Sequence, residues 1–221
     1  MKQNQSGFTL IEIAIVLVII GLLLGGVLKG QELINSAKVK NLATDFRNIP
    51  LFIYGYQDKF RALPGDDKDV TTHLNGLGAT LAVSAGSGVP GNGVIEGTWD
   101  ATGQEESNLF WQHVRLAGLA AGPTAYAASV DFRPTNSNGG AIGLTNGGQS
   151  PIAGIPATYV ICSGGILGKF AKQLDLTMDD GASDKGSMRA VLSSAVGVGV
   201  TGVAAATSIT DTESYIVCMG L

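Results

Sequence analysis

Residues 8–28 form an apolar run broken by a single charge, Glu12, and that run limits what the chain can become. As a helix it would rise about 31 Å, the thickness of a bilayer's hydrocarbon core. A cleaved secretory signal would be shorter and would end in a small-residue cleavage site. Here the small pair Ser6-Gly7 precedes the run, and a helical pattern continues beyond it. The segment therefore reads as a retained anchor. Glu12 is out of place in it, because a carboxylate in hydrocarbon persists only where it has a partner or a function.

Beyond the anchor, Val39, Leu42, Phe46, Ile49, Ile53, Tyr56 and Phe60 recur at alternating steps of three and four, one apolar stripe with Lys38, Lys40, Asp45, Arg47, Asp58 and Lys59 mostly off it. Pro50 removes an amide from this helix without necessarily ending it, and Leu63-Pro64-Gly65 closes the pattern. The spacing predicts one helix over about residues 8–61, with an apolar half at 8–28 and an amphipathic half at 29–61.

Residues 62–221 read as a globular domain. A long region rich in Gly, Pro and Asp leads to "QEESNLFWQHVRLAGLAAG", a helix at 105–121 that Gly122-Pro123 would end, with Leu109, Trp111, Val114, Leu116 and Leu119 mainly buried. A shorter helix fits 165–174. Strands are expected at 140–144, 157–163, 188–194 and 214–220, all turn-bounded. The run at 195–209 fits a weak strand or a hairpin equally well. The fold class is α+β: a long N-terminal helix packed on a small antiparallel sheet.

Charged residues are 14% of the chain, against about 25% in ordinary domains. With 14 Lys+Arg against 18 Asp+Glu, a large basic face for nucleic acid is disfavoured, although a local patch stays open. The sparse charge suits an extracytoplasmic protein that packs against copies of itself. Lys2 before the span and Lys29 and Glu32 after it bias orientation only slightly. Cys162 and Cys218 are the two cysteines. Paired, they would close a loop of about 57 residues, worth roughly 4 kcal/mol on the chain-entropy account, in an oxidising compartment. Two free buried thiols are the alternative.

The stretch "KQNQSGFTLIEIAIVLVIIGLLL" places a short basic leader, a Gly and then Phe-Thr-Leu-Ile-Glu at the head of an apolar helix. It resembles the type IV pilin-like family, which comprises pilins and the pseudopilins of type II secretion. The close match covers about residues 1–28. The resemblance implies a leader of residues 1–7, cut after Gly7 by a prepilin peptidase that methylates the new amine of Phe8. It also implies that Glu12 pairs with the Phe8 ammonium, its own or that of a neighbouring subunit, and so recruits the next subunit. The expected partners are the peptidase, an inner-membrane assembly platform, membrane lipid before assembly, and copies of the chain or other pilins and pseudopilins. The expected location is the bacterial inner membrane with the domain in the periplasm, then a cell-surface filament or a periplasmic pseudopilus. The family's disulfide-bounded terminal loop fits Cys162 and Cys218. A pilus subunit is favoured over a secretion pseudopilin, and a minor tip subunit with a binding role is a further alternative.

No enzyme is expected. The two histidines, His73 and His113, read as a solvated loop residue and a helix-surface residue, and no nucleophile elbow or zinc motif is present. The strings "GSGVPG" (86–91) and "GVGVTG" (197–202) match a dinucleotide fingerprint outside any βαβ unit and are rejected. No cofactor is assigned. Asp175, Asp179, Asp180 and Asp184 are the best metal candidates, for calcium, set against a solvated acidic turn. An EF-hand register fails, because Gly181 at the invariant glycine would put Leu176 and Met178 at ligand positions.

Overall fold

A computed structural model of the chain describes residues 9–82, 90–127 and 129–221. Helix α1 spans Leu10–Phe60 with Pro50 inside it. The chain divides into two compact units, Met1–Lys38 and Val39–Leu221. In the first unit, α1 is long and apolar enough to cross a membrane and buries none of its most apolar window within the chain. Every described residue from Thr9 to Lys29 is exposed.

The second unit is built on the stripe. Val39, Leu42, Phe46, Ile49, Ile53 and Tyr56 are buried, together with Ala43, which fills the same face. Phe60, the last of the predicted series, is only half-buried. The other elements are α2 (Val70–His73), α3 (Glu106–Leu116), β1 (Ile142–Asn146), β2 (Tyr159–Leu167), α4 (Gly168–Met178), β3 (Met188–Leu192) and β4 (Ser214–Gly220). The strands form one antiparallel sheet in the order β1-β2-β4-β3.

Both faces of this sheet are covered, and side-chain alternation sorts its residues between two clusters. Ile161, Met188, Ala190, Tyr215 and Val217 join the core made by α1, α3 and α4, whereas Val160, Cys162, Val191, Ile216 and Cys218 pack with Trp99, Ile152 and Ile155. Cys162 and Cys218 face each other across β2 and β4 and are disulfide-bonded, with Cα atoms 4.1 Å apart. The bond thus ties two central strands together.

Several boundaries differ from expectation for local reasons. Helix α3 stops at Leu116 because Gly118, at φ +78°, closes a Schellman motif: its amide bonds Arg115 O, and the Leu119 amide bonds Val114 O. Leu116 and Leu119 are consequently only half-buried. Strand β2 runs on to Leu167 through an irregularity between Ser163 and Ile166, where Gly165 has φ +68°, so α4 begins at Gly168 and not 165. Residues 195–209 form neither strand nor hairpin; Val203 makes one isolated bridge to Ile152.

Candidate functional site

The expected cleavage pair, Gly7 and Phe8, lies outside the described residues. Glu12 lies inside them, and its surroundings supply a local reason for its presence. The Thr9 amide and hydroxyl each donate to Glu12 Oε2 at 2.8 Å, and the Glu12 amide donates back to Thr9 Oγ1 at 3.3 Å. This is a reciprocal capping box, which satisfies amide donors at the head of α1 that have no partner within the helix. The signal was readable as Thr-x-x-Glu before an apolar run. Capping and pairing with an ammonium are compatible, because a carboxylate accepts several hydrogen bonds.

His113 is not the helix-surface residue the sequence suggested, and His73 is only partly exposed. His113 is fully buried. Its Nδ1 accepts the Gly65 amide at 2.9 Å, which leaves Nε2 to carry the proton toward Thr80 O at 2.8 Å. Burial pushes its pKa down to about 4, so it is a neutral tie between α3 and two distant loops. His73 closes α2 and meets Asp67 Oδ2 at 2.7 Å, the same oxygen that accepts the Tyr56 hydroxyl at 2.8 Å. Asp67 is itself buried and also holds the Asp69 amide. Its neighbour Asp66, likewise buried, accepts the amides of Gly91, Asn92 and Gly93. These carboxylates tie Asp69 and His73 to Tyr56 of α1, and residues 91–93 to Asp66. Asp67 and His73 border a shallow cavity of about 540 Å³ that no Ser or Cys lines among the described residues.

Of the four candidate metal ligands, the structure brings three together. Carboxylate oxygens of Asp175, Asp179 and Asp180 lie within 4.8 Å of one another. Asp184 is outside this group and lines a neighbouring cavity with Asp175.

Residues 2–28 match the family described as prokaryotic N-terminal methylation motif, the signature of type IV pilins and pseudopilins. The motif supports a precursor of that type, implies processing by prepilin peptidase and assembly with other pilins, and with the apolar helix fits anchoring in a membrane before assembly. Families bearing it are generally structural and not enzymatic. Comparisons with curated proteins and with solved structures give no match.

Proposed function

We propose that this chain is a structural subunit of a type IV pilus-type filament. Residues 1–7 are removed after Gly7, the Phe8 amine is methylated, and residues 8–28 hold the subunit in the inner membrane with the domain on the periplasmic side. Assembly then transfers the apolar half of α1 from lipid to a filament of copies or related subunits. The observation that carries this reading is the motif at residues 2–28, which leads into a helix whose most apolar window buries nothing within its own chain. A pilus is favoured over a secretion pseudopilus by the chain's length and its paired cysteines.

The test separates the two roles open to Glu12. Glutamine serves the capping box as well as glutamate does but carries no charge. Intact mass of the membrane-extracted protein should show loss of residues 1–7 and gain of one methyl group. The ratio of sheared filament to membrane-pool subunit should fall to background for Glu12→Gln as well as Glu12→Val. If Glu12→Gln builds filaments like the wild type while Glu12→Val does not, the carboxylate caps the helix and does not recruit a neighbour's amine. A mature protein that begins at Met1 would overturn the functional assignment.

A further inference from the structure

We propose that Asp175, Asp179 and Asp180 bind a divalent cation of calcium's class at the junction of α4 and β3, a site independent of the filament role. Asp175 lies in the last turn of α4 and is 3% exposed, and neither of its carboxylate oxygens has a hydrogen-bond partner. A buried carboxylate without a partner is rare and unfavourable. The position compounds this, because a helix C-terminus carries negative partial charge. The acids gathered beside Asp175 are Asp179 and Asp180, both of its own sign. Lys172 borders the adjacent cavity with Asp175 but is held at 2.8 Å by Asp211. The protein thus gathers negative charge around one buried acid whose oxygens have no hydrogen-bond partner among the described residues.

The other two acids are held in place by single oxygens. Asp179 Oδ2 accepts the Met188 amide at 2.7 Å and Asp180 Oδ1 accepts the Ala182 amide at 2.8 Å, which leaves Asp179 Oδ1 and Asp180 Oδ2 for a ligand. Gly186, at φ +66°, has no Cβ, and one there would collide with Asp179 Oδ2, so the loop is shaped to receive that carboxylate. Calcium–oxygen distances are roughly 2.3–2.6 Å, so two ligands of one ion lie at most about 5 Å apart. The mutual separations of up to 4.8 Å satisfy that limit without rearrangement. An all-carboxylate donor set selects a hard cation over zinc or copper. An irregular loop beside a helix end suits calcium's variable coordination better than magnesium's strict octahedron.

The site also has a consequence for the sheet. Met188 opens β3, an edge strand that pairs with β4, and Asp179 holds its amide. A cation on the three acids would fasten α4 to that edge.

The experiment uses the full chain in detergent at neutral pH, stripped with chelator and then titrated with calcium or magnesium. Calorimetry should show about one calcium per chain, and the thermal midpoint should rise by roughly 5–10 °C when calcium is about 100-fold above its dissociation constant. Magnesium at the same concentration should do markedly less. Asp175→Asn should abolish the shift while keeping the far-ultraviolet circular dichroism of the wild type. Should that buried substitution fail to fold, Asp180→Asn, on an exposed loop residue, must lose the shift in its place, whereas Asp184→Asn must keep it. Equal wild-type midpoints with calcium and with chelator would overturn the proposal. So would a calcium shift that survives in a folded Asp175→Asn or Asp180→Asn variant, or an equal response to magnesium.

Discussion

Helix α1 contains two stretches that share a backbone conformation and differ in what their side chains meet. From Leu10 to Lys38 the apolar residues lie all round the helix, and Leu10, Ile11, Leu17, Val18, Leu22 and Leu23 are among those exposed. From Val39 to Phe60 the apolar residues buried in the chain keep to one stripe, whereas Leu51 and Tyr54 stand off it in solvent. Helix propensity does not account for the difference between the two stretches. The first mixes Leu with Ile, Val and Gly, and the second carries Pro50, Gly55 and several β-branched and aromatic residues, so both contain weak helix formers. The surroundings separate them: in lipid a backbone without water must satisfy its own hydrogen bonds. An all-round apolar surface is what such a solvent allows, and a single stripe is what a folded core demands.

The comparison is most strongly tested where the second unit is stapled and the first is not. Replacing both cysteines, Cys162→Ser with Cys218→Ser, should lower the stability of the Val39–Leu221 unit by about 4 kcal/mol, the chain-entropy value for a loop of this length. Helicity of the apolar stretch in detergent should be unchanged. Trp99 packs in the same cluster as the cysteines, so denaturant unfolding followed by tryptophan fluorescence reads the effect directly. An unchanged midpoint on reduction would show that sheet pairing alone carries this part of the fold.

A matched pair of truncations comes next. Leu42 is fully buried, and Leu42→Ala should destabilise the domain by roughly 3–4 kcal/mol through lost transfer energy and the cavity left behind. Leu22 is 74% exposed, and Leu22→Ala should leave domain unfolding where it was. Similar shifts from both would mean that the two stretches are not energetically separate.

The same contrast explains which features could be read from the sequence. The stripe and strand β4 were legible because each follows a period set by its own backbone, 3.6 residues or two. The buried acids and histidines were not, because their partners are distant. Asn108 takes the carbonyls of Gly103 and Val130 and the amide of Phe132, and Gln112 takes the carbonyl of Thr124 and the amide of Thr80. Helix α3 is therefore buried from Glu106 to Arg115 with polar residues on most of its faces, an arrangement no periodicity announces. The Asp175 group lay between these cases. Sequence placed its acids near one another, but only the fold shows that one is buried without a partner and that Asp184 stands apart.

The smallest expected effect is a change of slope with pH, and it belongs to the second unit alone. Glu106 is fully buried, and burial, with the charges of Asp66, Glu96 and Glu105, raises its pKa from 4.5 to about 7. The folded state therefore binds the extra proton. The stability this contributes is complete below about pH 4.5 and is lost as pH rises through about 7. His113 runs the opposite way: its pKa falls from 6.5 to about 4, so its contribution is complete above about 6.5 and is lost as pH drops through about 4. Between about pH 4.5 and 6.5 the two slopes oppose and nearly cancel. Glutamine at 106 keeps an oxygen for the Glu96 amide, which donates to Glu106 Oε2 at 2.8 Å, and removes the titration. Glu106→Gln should therefore gain roughly 2–3 kcal/mol at pH 8, from a shift of about two and a half units less some local relaxation. It should gain almost nothing at pH 4. Across the interval between, its stability relative to the wild type should rise with pH. Chemical denaturation at half-unit steps of pH measures both curves, and parallel curves for the two proteins would show that Glu106 is ionised in the folded state.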